Sequence, residues 1–87
     1  MALVSIAPIE ARVAWDRQRG EPSRVRFGDR EVRVSRLTAV RDERAAYPVG
    51  TAPRLMLVVE TEDGEALELV FDARHHRWFV DALDAAA

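Results

Sequence analysis

Hydrophobic residues recur at every second position through most of the chain, a pattern typical of β-strands that bury one face. A first strand is predicted over residues 9–15, with its inward positions at Ile9, Ala11, Val13 and Trp15. The charged segment that follows, residues 17–22, contains Gly20 and Pro22, and both residue types interrupt strands. A loop is therefore predicted in that segment.

The next predicted feature is a β-hairpin around Gly28–Asp29, with inward positions at Val25, Phe27, Val32 and Val34. A two-residue turn places Val25 opposite Val32, whereas a four-residue loop places Phe27 opposite Val32. Both registers keep the apolar residues on one face, so the pattern leaves the choice open. Beyond Val34 the alternation slips by one position, which indicates a β-bulge or a short helical turn.

Two further hairpins are predicted in the C-terminal half. A three-residue loop at residues 62–64, with Gly64 left-handed, places six apolar residues on one face: Leu55, Leu57, Val59, Leu67, Leu69 and Phe71. A four-residue loop at residues 73–76 then places Phe71 opposite Trp78 and Leu69 opposite Val80. Residues 81–87 are predicted to form a single helical turn or to fray, because so short a segment cannot hold a helix alone.

These elements predict an all-β fold of about six antiparallel strands, arranged as a meander of hairpins within one domain that spans residues 1–87. The expected shape is a small half-open barrel or a strongly twisted sheet, and the alternative is an α+β fold with a helix around residues 35–46. Residues 41–53 contain two prolines and a glycine and are predicted to form a mobile loop. The predicted core comprises Val13, Trp15, Val25, Phe27, Val32, Val34, Leu55, Leu57, Val59, Leu67, Leu69, Phe71, Trp78 and Val80.

The chain is 87 residues long, and a domain of this size buries only about 60% of the surface that its unfolded chain exposes. Without cysteine it has no disulfide or thiolate metal site to add stability, so dimerisation is the expected supplement to a thin core. No apolar run has the length of a membrane span or the form of a signal peptide. These features predict a cytoplasmic protein that has no membrane partner.

Catalytic residues are not recognisable in the sequence. The only histidines, His75 and His76, are adjacent in a predicted tight loop, where neighbouring side chains point in different directions, and no nucleophile motif accompanies them. Adjacent histidines also rarely converge on one metal ion, and the four glycines are too scattered to form a phosphate loop. The sequence therefore predicts a protein that is not an enzyme and has no metal site, cofactor or small-molecule substrate.

Charge is distributed unevenly along the chain, whose net charge at pH 7 is -2. Residues 1–44 carry ten arginines and seven acidic residues, a net +3, whereas residues 45–87 carry three arginines and eight acidic residues, a net -5. Four arginines lie on the first predicted hairpin or just beyond it: Arg24, Arg26, Arg33 and Arg36. Such a row can follow a phosphate backbone, with Trp15 as a stacking plane at its margin, although the pI near 5.6 is low for a nucleic-acid-binding domain.

A second candidate surface lies on the outward positions of the hairpin that follows residue 54. Met56, Val58 and Val70 make that face half apolar, so another part of the chain or a second subunit is expected to cover it.

Two functions follow from these surfaces. The leading hypothesis is a non-enzymatic interaction module that acts through protein–protein contacts, including self-association as a homodimer. The alternative hypothesis is a nucleic-acid-binding accessory domain that uses the arginine-rich hairpin of residues 17–36.

The order of several short segments also resembles a known family. These segments are Pro8-Ile9-Glu10, Gly28-Asp29-Arg30, Leu67-Glu68-Leu69-Val70-Phe71-Asp72 and Arg77-Trp78-Phe79-Val80. Over residues 8–84 the chain resembles a family of small bacterial domains of unknown function, found mostly in G+C-rich bacteria. Some members are encoded near genes for lesion-bypass DNA synthesis, so the resemblance implies a nucleic-acid or repair-accessory role and no catalytic residues.

Overall fold

The computed structural model describes residues 3–43 and 54–84. These residues form six β-strands: β1 (Leu3–Asp16), β2 (Glu21–Phe27), β3 (Arg30–Glu43), β4 (Arg54–Thr61), β5 (Ala66–Asp72) and β6 (Arg77–Asp84). Each strand pairs antiparallel with the next, and β1 also pairs with β6, so the sheet closes into a six-stranded barrel. The prediction of an all-β meander is confirmed, and within the described ranges no helix is long and apolar enough to span a membrane.

The barrel closes through β1, which pairs with two neighbours over different parts of its length. The second half of β1, from Ala11 to Asp16, pairs with β2, whereas Leu3 to Ser5 and Ile9 to Ala11 pair with β6. A strand that is staggered in this way supplies the shear that a closed barrel requires.

The three tight turns have the predicted lengths and registers. Gly28 and Asp29 form the two-residue turn between β2 and β3, where Gly28 has a φ of 57° and Val25 lies opposite Val32. Gly64 has a φ of 82° in the loop before β5, a conformation that only glycine adopts without strain. In the last hairpin Phe71 lies opposite Trp78, as predicted. The two-residue alternative for the first hairpin is therefore confirmed, and the four-residue alternative is wrong.

Bulges bend the long strand β3 around the barrel. Its register against β4 shifts after Val34 and again after Leu37, so the predicted bulge is confirmed. The side chains of two residues at these bulges donate hydrogen bonds to carbonyls of β4: Ser35 Oγ to Glu60 O at 2.9 Å, and Thr38 Oγ1 to Val58 O at 3.0 Å. These hydroxyl groups satisfy carbonyl oxygens where the backbone ladder is interrupted.

The core is the layer of inward side chains inside the barrel. Fully buried residues at its centre are Val25, Val59, Leu67, Leu69 and Val80, and Phe27, Val32, Val34 and Leu57 complete it. Three alanines that were not predicted as core, Ala11, Ala66 and Ala82, are also buried. Small side chains fit these positions because opposite walls of a six-stranded barrel lie close together.

Five sequence predictions need correction. The helix around residues 35–46 is wrong because β3 continues as a strand to Glu43, and residues 41–43 therefore belong to β3 and not to the predicted loop. The rest of that loop, residues 44–53, lies outside the described residues. The predicted loop of residues 17–22 is shorter, since β2 begins at Glu21, and the predicted helical turn at 81–84 is the end of β6. Trp15 is not core, because 43% of its surface is exposed.

Replacement of a central core residue tests the barrel interior. Leu69→Ala is expected to lower the free energy of unfolding by about 2–5 kcal/mol, because it removes a fully buried side chain and leaves a cavity. Urea denaturation measures the change. Val40→Ala is the control, since 57% of Val40 is exposed and its loss is expected to change stability by less than about 0.5 kcal/mol. Equal losses for the two variants would contradict this assignment of the core.

Candidate functional site

Four arginines face outward from three neighbouring strands on one side of the barrel. Arg12 on β1 lies directly opposite Arg26 on β2, and Arg24 on β2 lies directly opposite Arg33 on β3. All four side chains are exposed, because they alternate with inward residues of the core. We call Arg12, Arg24, Arg26 and Arg33 the arginine face.

Most of the positive charge on the arginine face is not neutralised by the protein. Arg24 forms an ion pair with Glu31 at 3.3 Å, whereas Arg12, Arg26 and Arg33 have no ion pair with any described residue. Like charges directly opposite each other on neighbouring strands are unfavourable. Glu31 on β3 also lies directly opposite Arg26, so four arginines and one glutamate leave this surface net positive, and a bound anion would relieve the remaining repulsion within the two opposed arginine pairs.

The sequence identified only part of this surface. Arg24, Arg26 and Arg33 lie together as predicted, but Arg36 lies apart from them, where its guanidinium contacts Glu60 on β4 at 3.3 Å. Arg12 was missed because it lies on β1, outside the arginine-rich hairpin. The sequence does indicate that Arg12 points outward, because it alternates with the inward residues of the first strand. Only the register of β1 against β2 shows that it lies opposite Arg26.

A groove lies beside the arginine face, where β2 ends at Phe27 and β1 continues past it. It has a volume of about 520 Å³ and is lined by Glu10, Ala11, Arg12, Arg26, Phe27 and Gly28. The Glu10 carboxylate at its edge lies 3.8 Å from the Arg77 guanidinium, so a cation already accompanies that acidic group. A smaller depression of about 240 Å³ lies between Arg12 and Arg24. The guanidinium groups of Arg12, Arg24 and Arg26 thus lie beside depressions in the surface.

An aromatic cluster lies at one end of the barrel. The ring centroids of Trp15 and Trp78 are 6.1 Å apart, and those of Trp78 and Phe71 are 5.0 Å apart. His76 packs edge-on against Phe71 at 6.1 Å. Trp78 and Phe71 are half-buried, whereas 43% of the Trp15 surface is exposed. This end of the barrel therefore presents an indole ring to solvent.

The predicted partner face lies on the other side of the barrel. Met56, Val58 and Val70 point outward from β4 and β5 and are half-buried, and Phe79 on β6 extends the same surface because it lies opposite Val70. The Arg41 guanidinium lies 4.0 Å from the Met56 sulfur at the border with β3. We call Met56, Val58, Val70 and Phe79 the apolar face.

Two carboxyl groups meet beside the apolar face. The side chains of Glu68 on β5 and Asp81 on β6 interact, and Asp81 Oδ1 is buried with no hydrogen-bond partner among the described residues. Burial, followed by the charge and hydrogen bond of Asp81, raises the pKa of Glu68, while Arg41 and Arg54 partly offset the rise. The folded protein therefore favours the protonated form of Glu68 more than the unfolded chain does.

His75 and His76 lie in the turn between β5 and β6, as predicted. His75 Nδ1 lies 2.8 Å from Asp72 Oδ2, and this hydrogen bond, with those from the backbone N–H groups of His75 and Arg74, lowers the pKa of Asp72. Asp72 thereby closes the turn. Within residues 3–43 and 54–84, no three histidine or acidic side chains come together as metal ligands.

Comparisons with known proteins add no assignment: no family model matches the chain, and no significant match was found among curated proteins or solved structures. The resemblance to the family of small bacterial domains stays a prediction.

The Glu68–Asp81 pair predicts how stability depends on pH. Because the pKa of Glu68 is raised in the folded protein, its contribution to stability is fully present below the unfolded value of 4.5 and is lost as the pH rises through the folded value. Glu68→Gln, whose amide can donate to Asp81, is expected to remove this loss and to stabilise the protein at pH 7 by about 1 kcal/mol or less.

Urea denaturation between pH 4 and pH 8 measures this effect. Glu62→Gln, in the exposed turn before β5, makes the same change of charge and serves as the control. If both variants change the pH profile of stability equally, the carboxyl pair does not have the role assigned to it.

Proposed function

We propose that this protein is a non-enzymatic accessory module that binds the phosphate backbone of nucleic acid through the arginine face. The observation that carries the proposal is the pair of cross-strand arginine oppositions, Arg12 with Arg26 and Arg24 with Arg33. Three of these four guanidinium groups have no ion pair in the described part of the chain. A cytoplasmic location, which the absence of cysteine favours, is part of the proposal.

Phosphate is the anion that best fits this arrangement. The guanidinium group is planar and offers several N–H donors in a fork that matches the oxygens of a phosphate group. Side chains directly opposite each other on an antiparallel pair have Cβ atoms only about 5 Å apart, so one phosphate can accept hydrogen bonds from both arginines of an opposed pair. The bound anion would replace repulsion within each pair by attraction.

A polyanion fits better than a single phosphate because the arginine face extends over three strands. Neighbouring strands lie about 4.8 Å apart, so the guanidinium groups cover a strip about 10 Å wide across β1, β2 and β3. The opposite half of the barrel is acidic, because residues 54–84 carry eight acidic residues and three arginines. This polarity would orient the barrel so that only the arginine face approaches a negatively charged chain.

A second candidate function is self-association through the apolar face, and the placement of charge around that face favours it. Arg41 lies opposite Met56 on the β3 side, and Glu68 lies opposite Val58 on the β5 side. Opposite charges thus lie at diagonal corners of a small apolar surface. A second copy related by a two-fold axis along the other diagonal would place Arg41 of each copy against Glu68 of its partner.

Charge reversal at Arg12 tests the binding of nucleic acid. Arg12→Glu is expected to weaken the binding of a labelled oligonucleotide about tenfold at 50 mM salt, because a phosphate contact becomes a repulsion. The same change is expected to keep or slightly raise stability, since Glu opposite Arg26 is a favourable cross-strand pair. Fluorescence anisotropy measures the affinity, and the affinity of the unmodified protein is expected to fall steeply between 50 and 200 mM salt.

Arg41→Glu is the matched control for this experiment. Arg41 is exposed on β3 at the border of the apolar face, on the other side of the barrel, and its replacement changes the net charge by the same amount. Arg33→Glu, which faces Arg24, is expected to behave like Arg12→Glu. Equal weakening by all three variants, or no binding by the unmodified protein below about 100 µM, would refute the proposal.

Sedimentation at several concentrations tests self-association. The unmodified protein is expected to dimerise as its concentration rises, and Val58→Lys is expected to prevent this by burying an unpaired charge in the contact. Ser5→Lys, an exposed position on β1, is the control and is expected to leave dimerisation unchanged. A protein that stays monomeric at millimolar concentration rules out the second function and leaves the first unaffected.

A further inference from the structure

The core of the barrel does not explain the position of Trp15. It continues the inward alternation of β1 and lies opposite the buried Pro22, yet 43% of its surface is exposed. An indole ring with this exposure offers a large amphipathic surface for contact with a ligand or a partner.

The position of the Trp15 ring is fixed by its surroundings. The register between β1 and β2 shifts between Ala14 and Trp15, at the point where the strand reaches the end of the barrel. The ring then packs against Trp78 at 6.1 Å with an angle of 55° between the planes, and Phe71 supports Trp78 from behind at 5.0 Å. Trp15 therefore packs against another aromatic ring and still exposes 43% of its surface.

The same two strands carry Trp15 and most of the arginine face. Ala14, the residue before Trp15, lies opposite Arg24, and Arg12 precedes Trp15 by three positions on β1. Since a strand rises about 3.3 Å per residue, the backbone of Trp15 lies about 10 Å from that of Arg12. Trp15 lies on the inward side of β1, so a chain of nucleotides that follows the arginine face would continue past the end of the barrel, where one of its bases can meet the exposed indole.

We propose that the nucleic acid bound by this protein is single-stranded, and that one of its bases stacks on Trp15. This inference rests on the proposed function, because the arginine face supplies the phosphate contacts. In a duplex both faces of each base are covered by neighbouring pairs, whereas an unpaired base can turn out and stack on an aromatic side chain. Stacking accepts every base, so the expected preference is for a single strand and not for a particular sequence.

Binding of a single-stranded oligonucleotide and of the matching duplex at 50 mM salt tests the inference. The unmodified protein is expected to bind the single strand at least tenfold more tightly than the duplex. Trp15→Ala is expected to weaken binding of the single strand by about tenfold to a hundredfold, the range found when a stacking residue is removed, and to leave binding of the duplex unchanged. Trp15→Phe, which keeps an aromatic ring, is expected to retain most of the affinity.

A second measurement does not depend on the folding of Trp15→Ala. In a Trp78→Phe variant, Trp15 is the only tryptophan, so its fluorescence reports on Trp15 alone. Addition of the single strand is expected to quench this fluorescence, and addition of the duplex at equal occupancy is not. Thermal melting of each variant confirms that the barrel is folded.

The possible failures separate the inference from the function on which it rests. If Arg12→Glu weakens binding but Trp15→Ala does not, or if single strand and duplex bind equally, the phosphate contact stands and the stacking proposal is wrong. If Trp15→Ala weakens both forms equally, the ring does not distinguish an unpaired base and the proposal is also wrong. If the unmodified protein binds neither form, the proposed function itself is wrong. A contact with another protein would then be the remaining explanation for the exposed Trp15 ring.

Discussion

The barrel depends on the double pairing of β1. One strand of 14 residues pairs with β2 through its second half and with β6 mainly through its first half, and no other strand joins the two ends of the meander. A slip of one residue in either pairing would turn the side chains of that half from the core to the surface. The bulges at Ser5 to Ile9 and at Ala14 to Trp15 allow the strand to satisfy both neighbours at once.

The features proposed to have a function are consequences of this stagger. Because β2 ends at Phe27 while β1 continues past it, a groove remains beside Arg12 and Arg26. Because β6 begins at Arg77, opposite the middle of β1, the last residues of β1 extend beyond it and carry Trp15 to the end of the barrel. Closure of the sheet and exposure of these groups therefore have one geometric cause.

The sequence predicted local pairing well and distant pairing poorly. The three hairpins were readable because each turn joins strands that are adjacent in sequence, and Gly28 and Gly64 fix the turn lengths. The contact between β1 and β6 joins the two ends of the chain, and no local pattern encodes its register. Without that register and the one between β1 and β2, neither the opposition of Arg12 and Arg26 nor the exposure of Trp15 could be derived.

Closure also brings the first and last described residues together, since Leu3 is the register partner of Asp84. Every strand of the closed barrel thus has two paired neighbours, and the same barrel could be formed by a chain that begins at a different strand. A circular permutant that links these two ends by a short peptide and begins at the exposed turn around Asp63 would keep every strand pair. In such a chain β6 and β1 would form a hairpin. Their pairing, which now joins residues far apart in the sequence, would become a local contact.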